Sequence, residues 1–313
     1  MDSPLLSRPG AVSGDGVDTG VAAHYGDPLR EQRLAAEGRW VTDRSNRDVI
    51  RVGGPDRLSW LHSLTTQHLA ALPPDTWTEA LVLSPHGHVE HHLTLVDDGE
   101  TTWAHVEPGT AESLLAFLDS MRFMLRVDPS PVTDMAVLTD SGRDVLVPRA
   151  ELESRWDATV SAGATPLGMW GYEALRVAAL RPRLGFDTDH RTIPNELGWL
   201  DTAVHLDKGC YRGQETVARV HTLGRPPRRL VLLHLDGSEN RLPPVGSPVS
   251  YDGRDVGFVG SSARHHELGP IALALVKRNV PVDAALTVDE MPAAQEVVVD
   301  PEAGLHVRAR LTS

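Results

Sequence analysis

The chain almost dispenses with cysteine: among 313 residues there is one, Cys210. A single thiol closes no internal disulfide, so nothing in the sequence points to an oxidising compartment. No apolar run approaches the roughly 18 residues of a membrane span. The opening stretch, MDSPLLSRPGAVSGDGVDTG, has no apolar signal-peptide core and one basic residue. Its Gly, Ser, Pro and Asp read as a disordered tail over residues 1–24. The expectation is a cytoplasmic protein with no membrane partner. An excess of positive charge is also missing. Thirty Lys and Arg stand against 43 Asp and Glu, a formal net charge of −13, which excludes a general nucleic-acid binder. Hydrophobic content of 41% and charged content of 23% are those of an ordinary globular protein, with length for about two domains.

Patterning gives a mixed architecture. Residues 31–37 and 57–72 read as helices, the second with Asp56 as N-cap and Pro73-Pro74 as its stop. Residues 48–53 read as a strand. Residues 79–84, 88–96 and 101–106 form a meander joined by Pro85-His86-Gly87 and by Asp97-Asp98-Gly99-Glu100, which implies antiparallel pairing. Residues 111–121 and 170–180 read as helices and 132–139 as a strand. Beyond Gly224-Arg225-Pro226-Pro227 short strands parted by Gly, Pro and Asp take over, the rhythm of a small barrel or sandwich. The expected fold class is α+β: a body over 25–225 and a C-terminal β-domain over 226–313.

The chemistry gathers at "LDKGCYRGQETV", residues 206–217. Gly209 and Gly213 bracket Cys210 and permit unusual backbone shapes. Lys208 and Arg212 bring positive charge, and residues 213–220 read as a helix whose N-terminus follows the thiol. Each of these favours thiolate. The alternative is a small buried hydrophobe. From Lys208 to Arg229 there are six basic residues (Lys208, Arg212, Arg219, Arg225, Arg228, Arg229) and one acid, Glu215. Such an island either steers an anion to the loop or is a solvated face.

"KGCYRGQE", residues 208–215, is similar to the signature K-G-C-[FY]-x-G-Q-E of YgfZ-type proteins, relatives of the glycine-cleavage T-protein. "VIRVGGPDRLSWLHSLTTQ" resembles that family's opening strand and helix. "RPRLGFDTDHRTIPNELGWLDTAVHLDKGCYRGQETVARV" resembles its approach to the motif, and "GFVGSSARHHELGPIALALVKR" its closing barrel. The resemblance runs from about residue 27 to 310. It implies a GcvT-like folate-binding body of antiparallel sheets with helices, and a small C-terminal β-barrel. T-proteins pass a one-carbon unit to tetrahydrofolate. YgfZ-type proteins assist assembly or repair of iron–sulfur clusters in client enzymes, one of which modifies tRNA. Carried over, Cys210 and Lys208 are the reactive residues, with Gly209, Tyr211, Gly213, Gln214 and Glu215 as the signature loop. Arg176, Glu196 and Arg219 are the candidate folate contacts.

The chain departs from the T-protein pattern where that family has acids. "GHVEHH" places His91 and His92 at the Asp positions of G-x-x-x-D-D. "GMWGYE" places Met169, and "RVAAL" places Ala178, where Glu is expected. Lost acceptors of this kind weaken a pterin site by about 1.5–3 kcal/mol each. His88, Glu90 and His92 share one strand face, as a weak metal-site candidate or as the polar side of the strand; neither HExxH nor CxxC supports a metal. One thiolate does not hold a cluster by itself. Three readings follow: a YgfZ-type accessory protein that binds tetrahydrofolate or a related folate and acts through Cys210 on iron–sulfur client or assembly proteins; a folate-dependent aminomethyltransferase; or a binding module with no chemistry.

Overall fold

The structure is a computed structural model that describes residues 2–238 and 241–304. Its first segment corrects the sequence reading. Residues 2–24 are packed, not a disordered tail. Leu5 is fully buried beside Trp156, and Val21 to Ala23 are buried as well. Strands β1 (Val12–Ser13) and β2 (Ala22–His24) pair with each other. A polar, Gly-rich composition misleads here because a few apolar residues suffice to seat a strap on a body that already exists.

The body begins with α1 (Pro28–Glu37), capped by the Asp27 carboxylate on the amides of Leu29 and Arg30. Next come β3 (Trp40–Asp43), β4 (Asp48–Gly53) and α2 (Arg57–Leu64). This last helix is shorter than the leucine spacing suggests. The Thr66 hydroxyl binds the carbonyl of Ala203 and the amide of Leu81, and these tertiary bonds take the chain off the helix axis. Asp56 does not cap it through its side chain; its carboxylate holds Arg126 instead.

The meander is β5 (Thr78–Leu83), β6 (Val89–Asp97) and β7 (Thr102–Val106), followed by α3 (Ala111–Ser120) and β8 (Asp128–Val132). With β4 these strands form an antiparallel sheet in the order β5-β6-β7-β4-β8. Then come β9 (Met135–Asp140), β10 (Arg143–Pro148), α4 (Leu152–Ser161), β11 (Thr165–Pro166) and α5 (Met169–Ala178). A second sheet runs β10-β9-β3-β11.

After a long irregular connection and α6 (Gln214–Leu223), the chain closes a six-stranded barrel. Its strands are β12 (Arg228–Leu235), β13 (Pro248–Tyr251), β14 (Arg254–His265), β15 (Gly269–Lys277), β16 (Leu286–Val288) and β17 (Met291–Val297). The expected α+β class with a closing barrel is therefore what forms. Residues 305–313, the end of the expected barrel segment, lie outside the described residues. Barrel and body share one apolar core: Leu230, Leu232 and Leu273 pack with Leu81, Ala174, Trp199 and Val217. A buried polar link joins them too, since Asp187 accepts from the backbone amide of Ser261 at 2.7 Å and from its hydroxyl at 3.0 Å.

Candidate functional site

A cavity of about 770 Å³ opens between the two sheets of the body. Its walls come from seven separate segments. Trp40, Trp77 and Tyr172 supply aromatic surface, and Arg44 lies 4.8 Å over the Tyr172 ring.

The deep wall is a chain of alternating charges. Arg44 donates to Asp144, which also accepts from Thr139 and binds His105 Nε2 at 2.7 Å. Arg47 bridges His105 Nδ1 and Glu107. Glu107 accepts from Arg183, whose two terminal nitrogens hold Asp18 at 2.9 and 3.1 Å. Arg176 pairs with Glu173 at 2.6 Å and with Asp187 at 3.2 Å. Burial works against each carboxylate here, but for Glu107 and Glu173 the guanidiniums outweigh it. Glu107 is pulled down to about 2 by Arg47 and Arg183, and Glu173 is lowered by Arg176 and Arg183. His105 goes the other way: burial holds it down near 4 despite Asp144. These two carboxylates therefore stay ionised at neutral pH, with a neutral imidazole beside them.

Glu79 and His92 stand on another wall. The carboxylate Oε2 lies 3.2 Å from His92 Nε2, and Trp199 stacks on the imidazole with ring centroids 4.9 Å apart. His92 and Met169, the positions at which the sequence resemblance leads one to expect acids, both line the cavity, and the Glu79 carboxylate stands beside His92. His91, on the opposite face of β6, is buried, and burial pushes it down to about 4. Ala178 packs at the edge of the core shared with the barrel.

Cys210 is exposed, so it is not a buried hydrophobe, and it is not on the cavity wall. Its loop is seated from both sides. Lys208 is buried, and its ammonium is held by the carbonyls of His62, Thr65 (2.5 Å) and Gln67 (3.1 Å), at and beyond the C-terminal end of α2. Lys208 thus points into the protein instead of flanking the thiol, a correction to the sequence reading, and burial draws it down to about 8. Tyr211 is buried too, with Lys208 Nζ 5.1 Å from its ring centroid; its hydroxyl is pushed up to about 12 by burial. Gln214 bonds the Lys208 carbonyl, and Glu215 is exposed in the first turn of α6.

The two glycines differ. Gly213 has φ of +79° and abuts the β5–β6 turn at Ser84 and Gly87, so it needs to be glycine. Gly209 adopts an ordinary φ with open space around it, so its flexibility is not used.

The basic island also dissolves. Lys208 and Arg229 are buried, Arg228 is bound by Asp189 and Glu196, Arg212 pairs with Glu90 and Arg225 with Glu302. Linear charge density misleads because most of these side chains turn to partners distant in sequence.

Of the three candidate folate contacts, Arg176 lines the cavity. Glu196 is buried against Arg228, and Arg219 is exposed on α6. The weak metal candidates are engaged elsewhere, Glu90 by Arg212 and His92 by Glu79, and no group of metal ligands forms among the described residues. Sequence reasoning missed Arg44, Arg47, Glu107, Asp144 and Arg183. Arg44 and Arg47 share the loop between β3 and β4, but Glu107, Asp144 and Arg183 come from three other segments, and no spacing links the four segments. Glu173 and Arg183 do fall inside the stretches GMWGYE and RPRLGFD, but nothing in those stretches singles them out.

No family model matches the sequence. The chain is 24% identical over 315 residues to a protein of Arabidopsis thaliana described as a putative chloroplastic transferase, covering 83% of this chain and 70% of that one. It is 31% identical over 169 residues to an aminomethyltransferase of Herpetosiphon aurantiacus, covering 52% of this chain and 45% of that one. It is 33% identical over 152 residues to the aminomethyltransferase of Synechococcus elongatus, covering 47% of this chain and 39% of that one. The matches thus span less than half the length of these aminomethyltransferases. In three dimensions the chain superposes on the glycine cleavage system aminomethyltransferase T of Bartonella henselae with a TM-score of 0.80 and 16% identity, over 96% of this chain and 97% of that one. The fold is that of an aminomethyltransferase T. No helix among the described residues is long and apolar enough to cross a membrane.

Proposed function

We propose that this protein is a folate-binding accessory factor of the YgfZ type. Its cavity takes tetrahydrofolate or a related folate, and Cys210 serves iron–sulfur assembly or repair on a partner protein. The observation that carries the reading is the cavity itself. Aromatic faces for a flat heterocycle sit beside ionised carboxylates that accept its N–H groups, inside an aminomethyltransferase T fold.

The placement of the thiol supports an accessory role over a transferase. Cys210 is solvent-exposed and separate from the cavity, where a partner protein reaches it without entering the folate site. The two places are connected through β6. His92 lines the cavity, and Gly87, in the turn that leads into the same strand, abuts Gly213 of the cysteine loop. One thiolate suits transient work on a cluster, whose partner supplies the remaining ligands.

Calorimetry with tetrahydrofolate tests the cavity. The expected result is micromolar binding, about −8 kcal/mol, weakened at least tenfold by Trp77→Ala and unchanged by Cys210→Ala. Absence of any binding heat refutes the folate assignment. Deletion of the gene tests the accessory role. Iron–sulfur enzyme activity falls and is restored by the parent but not by Cys210→Ala; full activity in the deletion strain refutes it.

Aminomethyl transfer is the second reading, favoured by the named relatives and by Glu79, which keeps a carboxylate beside His92. Turnover of an aminomethyl donor with tetrahydrofolate, retained in Cys210→Ala, would decide for it.

A further inference from the structure

We infer that the tip of the N-terminal strap, residues 14–19, is a lid on the cavity, and that the Asp18–Arg183 ion pair is the latch that sets how fast a ligand enters and leaves. The inference rests on the folate reading for its ligand and goes beyond it by assigning the gate.

The strap is held at its base and barely held at its tip. At the base Leu5 and Val21 to Ala23 are buried, the Ser3 amide donates to the Gly20 carbonyl at 2.7 Å, and Arg8 reaches Asp157 of α4 at 2.9 Å. Among the described residues no side chain from 9 to 20 joins an apolar core, so the term that usually pins a segment is missing there. Val12 and Val17 are exposed. The tip makes its own turn, with the Asp18 amide donating to the Asp15 carbonyl and the Thr19 amide to the Gly16 carbonyl. Its hydrogen bonds to the body, among the described residues, come from two side chains. Arg183 Nη1 and Nη2 donate to the Asp18 carboxylate at 3.1 and 2.9 Å. The Asn46 side-chain amide donates to that carboxylate and to the Val17 carbonyl, both at 3.1 Å.

Such a hold makes a door. Asp18 lines the cavity, while Asp15, Gly16, Val17 and Thr19 beside it are exposed, so the wall here is one segment of chain thick. Releasing Asp18 leaves no naked charge behind. Arg183 keeps Glu107 at 2.9 Å and Glu173 at 3.4 Å, and the freed carboxylate goes to water. Gly16 and Gly20, at φ of +56° and +91°, bracket Asp18 and let the tip swing without a side chain in the way.

A gate has a kinetic signature. The Asp18 carboxylate is taken up by Arg183 and Asn46, so the closed lid adds no contact to the ligand, and affinity is the same with the latch made or broken. Entry and exit both pass through the open state, so the latch slows them alike. An Asp18 that touched the ligand would change the exit rate and the affinity together. A strap with only a structural role would change neither rate.

The experiment is stopped-flow mixing with tetrahydrofolate, read by quenching of tryptophan fluorescence, since Trp40 and Trp77 line the cavity. In the parent the observed rate levels off at high ligand concentration, because opening comes first. Asp18→Ala raises the plateau and the dissociation rate together by about tenfold, the worth of a hydrogen bond to a charged group, while the equilibrium constant stays within about threefold. Asp18→Asn, which keeps the shape without the charge, lies between. Hydrogen exchange on the unliganded parent needs no substitution. The Asp18 and Thr19 amides, although hydrogen-bonded, exchange at least about a hundredfold faster than those of β6. A faster exit with a proportionate loss of affinity, or rates that do not move, overturns the lid while the folate reading stands. Absence of any tetrahydrofolate signal in the parent refutes the folate reading and leaves the lid to the exchange measurement, where tip amides as protected as those of β6 overturn it.

Discussion

Gly213→Ala tests whether the cysteine loop is held by backbone contact with the β5–β6 turn. Gly213 has φ of +79°, the left-handed region, where a side chain costs about 1–2 kcal/mol. The added Cβ would lie 2.5 Å from the Ser84 carbonyl oxygen, 2.9 Å from Gly87 Cα and 3.0 Å from Gly87 N. All three are backbone atoms and none can rotate aside. The turn cannot retreat easily either. Gly87, at φ +83°, already sits so close to α6 that its own Cβ would be 2.7 Å from Thr216 Cβ. Relieving such overlap costs about 1–3 kcal/mol. The sum is a destabilisation of about 2–5 kcal/mol. At about 2–4 °C per kcal/mol for a large domain, the melting temperature falls by about 4–20 °C. Gly209→Ala is the internal control. It lies about four residues away, with an ordinary φ and no atom within 4 Å of where its Cβ would be, so it shifts stability by less than about 0.5 kcal/mol. Thermal unfolding of both variants checks the reasoning. If Gly213→Ala melts with the parent, or if Gly209→Ala is equally harmful, the loop is not seated as described.

Lys208→Met leaves three backbone carbonyls without their common donor; a loss of about 2–4 kcal/mol in urea unfolding is expected, and an unchanged midpoint refutes the anchoring role. Asp18→Asn weakens the fork on Arg183 and the tie of the N-terminal strap to the cavity wall; limited proteolysis within residues 9–20 accelerates at least several-fold while the core stays resistant. Acid stability follows the buried histidines. His91 and His105 are held near 4 by burial, against about 6.5 in an unfolded chain. The unfolded state therefore binds protons first, and the stability they contribute is complete above about pH 6.5 and drains as pH falls toward 4. His91→Leu makes that decline shallower when unfolding free energies at pH 7 and pH 5 are compared; an unaltered slope refutes it.

Much of the architecture is legible in the sequence because strands and turns are local. The pattern at residues 48–53 has the bounds of β4, and the meander comes within a residue or two of β5 to β7. Alternation and turn residues encode those elements directly. Helix α2 reads too long, because the Thr66 hydroxyl answers to Ala203 and Leu81, not to its sequence neighbours. The strap reads as disordered, because Leu5 finds its core only after β9, β10 and α4 exist.

The site divides in the same way. The sequence by itself determined that a lone thiol sits in a glycine-bracketed loop ahead of a helix, and that an α+β body precedes a barrel, since these are matters of residue type and short-range pattern. Only tertiary structure decided where the charges go. Lys208 turned inward to the end of α2, Arg228 was taken by Asp189 and Glu196, and Arg44, Arg47, Glu107, Asp144 and Arg183 were assembled from separate segments into one cavity wall. A long charged side chain reaches several ångströms and is costly to bury alone, so its position follows whichever opposite partner the fold brings within reach. That partner is set by topology, which no local reading of the chain contains.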